Sequence, residues 1–365
     1  RHRAILSVFL ITVMIVNIIK IFAPAILSFF VGVLLTPPLS YYLYKYQMWK
    51  KKAGKIAPDG RATPIFNELH KDKEVGIPRM GGVIIWSSVL LTIFIIWLTA
   101  VLFPGDITRK INFLSRNQTW LPLFTLIAAS VVGLIDDWWE VSGRSRYISG
   151  GLSFNKRLAV VTIIGLIGAA WFYYKLELST IFVPGLGDLD IGWFIIPVFV
   201  AVMIALFSSS VIDGIDGLAG GVMAIIFAAY SGIAFFQNQI DLAAFCAVIT
   251  GGTLAFLWFN IPPARFYMSE TGILGLTTTL TVVAFLTNSV LALPIIAFPL
   301  LATSLSVSIQ LLSKKLRHGR KIFLVAPVHH HFEALGWPAH KVVMRYWVIS
   351  IISAVIGMIV VLIGR

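Results

Sequence analysis

Long apolar stretches recur along the chain and constrain its fold more than any other feature. Several of them reach the roughly 20 residues that a helix needs to cross a hydrocarbon layer about 30 Å thick. Only 12% of the 365 residues are charged, so too little polar sequence remains to cover these stretches with a water-soluble surface. The apolar stretches are 4–35, 83–103, 121–135, 158–174, 193–212, 218–236, 242–259, 272–287, 289–312 and 342–363.

The stretches are apolar on all sides, whereas a membrane-spanning β-strand would alternate polar and apolar residues. They therefore predict helices. We expect an all-α polytopic membrane protein with about ten transmembrane helices, one integral membrane domain over 1–365 and the lipid bilayer as its surroundings. The single cysteine, Cys246, lies within an apolar stretch, which excludes a disulfide framework and a cysteine-based zinc site.

The formal net charge of +13 is distributed unevenly between the two predicted sides of the membrane. Alternate loops on one side hold 21 lysines and arginines, and those on the other side hold seven. Basic loops face the cytoplasm in most membrane proteins, so the first side is predicted to be cytoplasmic. The basic excess there suits anionic lipid headgroups or anionic substrates, and no nucleic acid partner is expected.

The first stretch, 4–35, is too long for one untilted span and is interrupted by Lys20 and Pro24. Two interpretations remain open: an interfacial helix over 1–21 followed by a span from 22 to 44, or an additional span. The first is favoured here and gives ten spans.

Five acidic residues in three separate places adjoin apolar stretches on the predicted cytoplasmic side. They lie in 133-GLIDDWW-139, 211-VIDGIDGLAGG-221 and 268-MSETG-272. A carboxylate in the middle of a span costs about 2.5–3.5 kcal/mol, and adjacent acids repel each other unless a cation or shared proton lies between them. These residues therefore predict a functional site at one membrane face: Asp136, Asp137, Asp213, Asp216 and Glu270.

Two further segments carry candidate binding residues. In 211-VIDGIDGLAGG-221 the glycines, Gly214 among them, allow the backbone to approach a ligand closely. In 258-WFNIPPARFYMSETG-272, Asn260 offers a donor and an acceptor to a base edge, and Tyr267 offers a ring for stacking, although an aromatic residue of the membrane interface explains Tyr267 equally well. The cations of 70-HKDKEVGIPRMGG-82, including Lys73, suit a phosphate group, although ordinary charge beside a membrane explains them equally well.

Three consecutive histidines lie in 327-PVHHHFEALGW-337. Neighbouring side chains diverge in any regular backbone, so the three are poorly suited to enclose one metal ion. They are predicted to lie on the same face as the five acids. We expect His329 and His330 to face the reaction centre as donors to a diphosphate or a ribose, and His331 to hold its loop.

Together these segments resemble the polyprenyl-phosphate N-acetylhexosamine-1-phosphate transferases. The resemblance rests on the acidic pair after the third span, the DGxDGLA loop after the fifth, and the asparagine-to-acid segment after the seventh. It also rests on 326-APVHHHFEALGW-337, which together with 341-KVVMRYW-347 is similar to the branch that uses a muramoyl-pentapeptide substrate. It covers residues 24–365.

The resemblance implies an enzyme of the bacterial plasma membrane with Mg²⁺ as cofactor, a cytoplasmic active-site cleft and often a homodimeric assembly. The implied reaction transfers phospho-N-acetylmuramoyl-pentapeptide from UDP-MurNAc-pentapeptide to undecaprenyl phosphate, which gives lipid I and UMP in peptidoglycan biosynthesis. The implied catalytic residues are Asp136, Asp137, Glu270 and His329; the implied metal ligands are Glu270, Asp136 and Asp137; and the implied substrate-binding residues are Lys73, Asp213, Gly214, Asp216, Asn260, Tyr267 and His330.

The sequence departs from the family pattern at three places. Glu140 stands where the family usually has a lysine, and Ser269-Glu270 replaces the usual Gly-Asp, which lengthens the side chain offered to a metal. The segment 76-GIPRMGG-82 replaces GTPTMGG, with Lys73 one residue further from the glycine. The PRMGG letters are closer to the sister enzymes that transfer GlcNAc-1-phosphate, so that activity stays as an alternative.

Two questions stay open on sequence alone. In one mechanism the lipid phosphate attacks the sugar-linked phosphorus directly. In the other an aspartate attacks first and forms an acyl phosphate, which the lipid phosphate then attacks. A secondary transporter is a more distant alternative, disfavoured because the acids cluster at one face and no internal repeat is visible.

Overall fold

The computed structural model describes residues 2–51, 75–115, 118–143 and 151–364, and helices make up most of them. In chain order the helices are α1 (His2–Lys45), α2 (Val83–Leu102), α3 (Asp106–Ile111), α4 (Trp120–Val141), α5 (Phe154–Ala170), α6 (Ile195–Ser208), α7 (Leu218–Phe236), α8 (Ile240–Asn260), α9 (Ser269–Leu286), α10 (Leu293–Ile296), α11 (Phe298–Leu316), α12 (Val328–Ala334) and α13 (Ala339–Ile363). A π-helical turn (Trp171–Lys175) extends α5, and 3-10 turns (Gly192–Phe194 and Ser209–Ile212) flank α6. Strands β1 (Thr180–Val183) and β2 (Gly187–Asp190) form an antiparallel hairpin in which Thr180 pairs with Asp190.

Within the described residues, nine helices are long and apolar enough to cross a membrane. They match nine of the ten apolar stretches, and the all-α polytopic class is confirmed. The tenth stretch, 289–312, is divided between α10 and α11. Helix α11 carries serine, threonine and glutamine along its length and ends with Lys314 and Lys315, so it is less apolar than the other nine.

Helix α9 is the central helix of the bundle. Its span is 94% buried, against 28% for α13. Three of its threonines satisfy their hydroxyls within the helix, since Thr277, Thr278 and Thr281 donate to the carbonyls of Ile273, Leu274 and Thr277. A hydroxyl that bonds to the preceding turn can be buried without leaving a polar atom unpaired, so these three threonines are compatible with the central position of the helix.

Helix α1 is continuous, with no break between the predicted interfacial part and the predicted span. Lys20 pairs with Asp241 in the first turn of α8 at 2.5 Å, and a Cβ added to Gly251 would collide with the carbonyl of Ala25. The two helices thus run parallel, and the residues before Lys20 extend past the start of α8. The interfacial location of 1–21 stays a prediction.

Loops gather around the start of α9 and position the site. The backbone of Tyr267 donates to Pro78 O at 2.9 Å and accepts from Gly81 N at 2.8 Å. A side chain at Gly82 would collide with the backbone of Gly272, so the segment before α2 packs backbone against backbone on α9. Only glycine permits this approach, which accounts for the glycine pair of 76-GIPRMGG-82.

Candidate active site

The N-terminus of α9 is the hub of the candidate site. The first amides of a helix have no partner within the helix. Here Ser269 N donates to Asp213 Oδ2 at 2.8 Å, and Thr271 donates to Asp137 Oδ2 through its amide at 2.9 Å and its hydroxyl at 2.5 Å. Carboxylates are favourable at this end of a helix dipole. Two predicted site residues from distant parts of the chain therefore meet at α9.

Glu270, between these capped residues, is joined to a cation that the sequence analysis did not select. Its Oε1 accepts from Nη1 of Arg157, near the start of α5. The same nitrogen lies 3.9 Å from Asp136 Oδ2, while Asp136 Oδ1 accepts from the amide of Leu152. The guanidinium thus bridges Glu270 and Asp136.

The predicted metal set of Asp136, Asp137 and Glu270 is not assembled as one cage. Successive residues of an α-helix point about 100° apart, and on α4 this sends Asp136 toward Arg157 and Asp137 toward Thr271. Among the described residues, no three or more His, Cys, Asp or Glu side chains form a group that could hold a metal ion. The metal-binding roles predicted for Glu270, Asp136 and Asp137 stay predictions.

A smaller ligand set does fit Mg²⁺. Asp137 Oδ1 and Glu270 Oε2 are both buried and have no hydrogen-bond partner in the described part of the chain. Leaving a buried acceptor unpaired costs about 1–3 kcal/mol. Mg²⁺ takes oxygen ligands and is commonly held by one or two carboxylates together with water and substrate phosphates. The two unpaired oxygens meet that requirement.

The histidine helix, α12, lies against the loop that contains Asp213 and Gly214. His329 and His330 of α12 are buried. A Cβ added to Gly214 would lie 2.7 Å from Nε2 of each ring, so both rings are directed at the glycine that follows Asp213. Glu333 Oε2 lies 2.6 Å from Nδ1 of His330 and fixes that ring. A carboxylate on one ring nitrogen sets the orientation and the proton position of the other.

His331 points elsewhere. Its Nδ1 accepts from the amide of Leu324 at 3.2 Å, and its ring meets Phe323 edge to face at 5.5 Å. The prediction that His331 holds its loop is confirmed. The substrate contacts of His329 and His330 stay predictions.

Asn260 joins the two loops that lie beside the hub. Its Oδ1 accepts from Gly217 N at 2.9 Å and its Nδ2 donates to Phe266 O at 2.8 Å, with the residue 3% exposed. Asp216 Oδ2 accepts from Ala264 N at 3.4 Å, across the same pair of loops. The carboxamide therefore holds the loops in place, and base recognition by Asn260 stays a prediction that this arrangement does not favour.

The remaining predicted residues are Tyr267 and Lys73. Tyr267 is partly buried next to the hub, and stacking on a base stays a prediction. Lys73 lies outside the described residues.

Glu140, one of the three departures, is neutralised by another of them. Its Oε2 lies 2.6 Å from Arg79 Nη1 and its Oε1 lies 3.5 Å from Lys50 Nζ, with the side chain only 7% exposed. Arg79 belongs to the variant segment 76-GIPRMGG-82. An acid in place of the usual lysine and a cation in place of the usual threonine therefore form one buried ion pair.

Sequence reasoning missed Arg157, Thr271 and Glu333. The criterion that selected the acids, a charge adjoining an apolar stretch on the basic side, would have selected Arg157, because it directly precedes 158–174. Thr271 and Glu333 carry no comparable signal, since their roles depend on the neighbours that the fold supplies.

Comparison with known proteins gives a consistent result. A family model described as glycosyl transferase family 4 matches residues 119–288, the part that runs from α4 to α9. The phospho-N-acetylmuramoyl-pentapeptide-transferase of Pelagibacter ubique is 32% identical over 327 residues, which cover 81% of this chain and 85% of the relative. The proteins of that name from Chloroflexus aurantiacus (33% over 324 residues, 84% and 82%) and Bacillus licheniformis (32% over 335 residues, 91% and 95%) match similarly.

Proposed function

This chain belongs to the phospho-N-acetylmuramoyl-pentapeptide-transferase family, and we propose that it transfers phospho-N-acetylmuramoyl-pentapeptide from UDP-MurNAc-pentapeptide to undecaprenyl phosphate. The products are lipid I and UMP, and the reaction is a step of peptidoglycan biosynthesis. One observation carries the proposal beyond family membership. Carboxylates from three separate segments meet at the first turn of one central helix, and a buried histidine pair is directed at Gly214, beside the Asp213 that caps this turn.

Transfer of a phosphoryl group between two anions needs charge neutralisation and alignment more than covalent chemistry. Asp137 and Glu270 would hold Mg²⁺, which when bound neutralises charge on the diphosphate. The amides at the start of α9 add positive potential from the helix dipole. His329 is positioned to donate a hydrogen bond to a phosphate or ribose beside Gly214, and His330 would donate there as an imidazolium paired with Glu333.

The burial of the acidic pair supports direct attack by the lipid phosphate. Asp137 is fully buried and its Oδ2 caps α9 through Thr271, which leaves only Oδ1, the oxygen proposed to hold Mg²⁺, to face the substrate. Asp136 is 3% exposed and is held by Leu152 and Arg157. Both carboxylates are thus held in place: Asp137 would act on the diphosphate through Mg²⁺, and Asp136 would accept the remaining proton of the lipid phosphate, with UMP as the leaving group.

The surroundings of the acidic pair suit a lipid substrate. Trp138 and Trp139 directly follow it on α4 and are 50% and 41% exposed. Tryptophan is favoured at the bilayer surface, so we infer that the lipid phosphate approaches this end of α4 from the membrane. The basic loops support a cytoplasmic location of the site in the bacterial plasma membrane, and the homodimer stays a prediction.

The function is tested by incubating the purified protein with undecaprenyl phosphate, Mg²⁺ and either UDP-MurNAc-pentapeptide or UDP-GlcNAc, and measuring UMP. We expect UMP with the muramoyl substrate, and none without lipid or in the presence of a chelator. Release with UDP-GlcNAc alone would identify the sister activity instead. Exchange of labelled UMP into the UDP substrate without lipid would support the acyl-phosphate route over direct attack.

A further inference from the structure

Arg157 occupies the position between carboxylates where a cation is expected. One guanidinium nitrogen contacts Glu270 Oε1 and lies 3.9 Å from Asp136 Oδ2. The side chain of Arg157 is 25% exposed and that of Glu270 is 20% exposed, so both are largely withdrawn from water. The guanidinium of Arg157, a charge that the protein itself supplies, thus neutralises Glu270 and Asp136.

In this contact neither Arg157 nor Glu270 uses all of its hydrogen-bonding atoms. Arginine usually binds a carboxylate through two parallel hydrogen bonds, but only one nitrogen of Arg157 contacts Glu270 here. Arg157 Nε and Glu270 Oε2 are buried without a hydrogen-bond partner among the described residues, and so is the neighbouring Asp137 Oδ1. A purely structural ion pair would be expected to use these groups. The single, one-sided contact is what an exchangeable partner would leave.

We infer that Arg157 is a placeholder cation: it neutralises Glu270 in the metal-free protein and releases this carboxylate when a divalent cation binds. The inference rests on the proposed use of Mg²⁺ at Asp137 and Glu270. A guanidinium and a divalent cation on one carboxylate repel each other strongly at short range, so the two compete for Glu270.

The structure also provides a position to which Arg157 can move. Asp136 Oδ2 is 3.9 Å from the guanidinium, and Asp136 itself is fixed because its Oδ1 accepts from the amide of Leu152. A small movement of Arg157 from Glu270 to Asp136 exchanges one carboxylate for another. Arg157 thereby keeps a counterion in both states, and the metal-bound state leaves no buried charge unpaired.

The test measures Mn²⁺ binding to the full chain in detergent without substrate, by the loss of the free Mn²⁺ electron paramagnetic resonance signal. The variants are Arg157→Gln and Lys156→Gln. Lys156 is the neighbouring residue, is exposed, and loses the same charge without touching the carboxylates. We expect Arg157→Gln to bind Mn²⁺ at least about tenfold more tightly than wild type, and Lys156→Gln to stay within about twofold. Equal affinities for wild type and Arg157→Gln, or an equal gain in both variants, would overturn the inference.

Thermal unfolding gives a second readout that does not depend on turnover. Without metal, Arg157→Gln leaves Glu270 uncompensated and should melt below wild type, and Mn²⁺ should raise its melting temperature more than that of wild type. The double variant Arg157→Gln with Glu270→Gln should lose this shift. If Arg157→Gln does not fold, Arg157→Lys is used instead, because it keeps the charge but lacks the planar guanidinium. Its Mn²⁺ affinity should lie between that of wild type and that expected for Arg157→Gln. A Mn²⁺ shift in the single variant no larger than in wild type would count against competition.

The outcomes separate this inference from the function on which it rests. Mn²⁺ binding in wild type without any effect of Arg157 overturns the placeholder alone. Absence of Mn²⁺ binding in all variants overturns the metal assignment and the placeholder together. Mn²⁺ binding as expected, with no UMP released from the UDP substrates, leaves the placeholder standing and refutes the proposed reaction.

Discussion

The two sides of the hub at α9 differ in how completely their polar groups are paired. On the loop side, the carboxamide of Asn260 uses both its oxygen and its nitrogen between two loops. On the carboxylate side, Asp137 and Glu270 each keep one buried oxygen without a partner in the described part of the chain. Fully paired groups hold a shape, whereas unpaired buried groups mark where a ligand would bind. The loop side therefore holds the site in shape, and the carboxylate side is where we expect the reaction to take place.

The strongest test of this contrast is Glu270→Gln. The amide keeps the size of the side chain but cannot supply a charged metal ligand, so kcat should fall about 10³-fold, while the melting temperature changes little. UMP release at saturating Mg²⁺ measures the loss. Glu270→Asp, the matched control, restores the usual acid of the family and should retain turnover. Full activity of Glu270→Gln would remove this residue from the site.

Glu140 lies on the carboxylate side, but its charge is fully paired, so we expect it to stabilise the fold rather than to take part in the chemistry. Glu140→Lys would place three cations together where Glu140 now neutralises Arg79 and Lys50. Breaking a buried ion pair costs about 3–5 kcal/mol, so this variant should melt well below wild type. Adding Arg79→Thr should recover part of that loss, since it restores the usual family combination. Additive effects in this double-mutant cycle would show that the two departures are independent.

Two histidines of α12 should differ in how much they contribute to turnover. His329→Ala should lower kcat about 10²-fold, because the ring is directed at Gly214 beside Asp213. His331→Ala should cost less than about tenfold, because its contact with Leu324 only holds the loop. Steady-state UMP release on both variants decides the order. The reverse order would mean that the helix presents a different face to the substrate.

Asn260→Ala should lower stability rather than turnover. Two buried hydrogen bonds disappear, which should lower the free energy of unfolding by about 1–3 kcal/mol, and the KM for the UDP substrate should rise only as the loops loosen. Asn260→Asp keeps the acceptor for Gly217 but turns a second acceptor toward Phe266 O, so it should also lower the free energy of unfolding. An unchanged melting temperature with a large rise in KM would instead identify Asn260 as a direct reader of the base.

Much of the candidate site was predictable because the signals are local. Asp136, Asp137, Asp213 and Glu270 adjoin apolar stretches, and the structure brings all four to one helix terminus. What each acid contacts was not predictable. The sequence did not show that Asp136 and Asp137, as neighbouring helical residues, point to different partners, or that the amide of Asn260 is bonded to two loops. Their metal-binding and base-binding roles stay predictions.

The sequence by itself determined that this protein is a helical membrane protein and which short segments carry its chemistry. Apolar length and motif spacing are properties of consecutive residues, so they need no knowledge of neighbours in space. Only the tertiary structure decided how those residues are paired. Arg157 meets Glu270 across 113 positions, and Glu140 meets Arg79 between different segments. Such contacts depend on the rotation of each helix and on the approach of loops, which packing of the whole bundle sets.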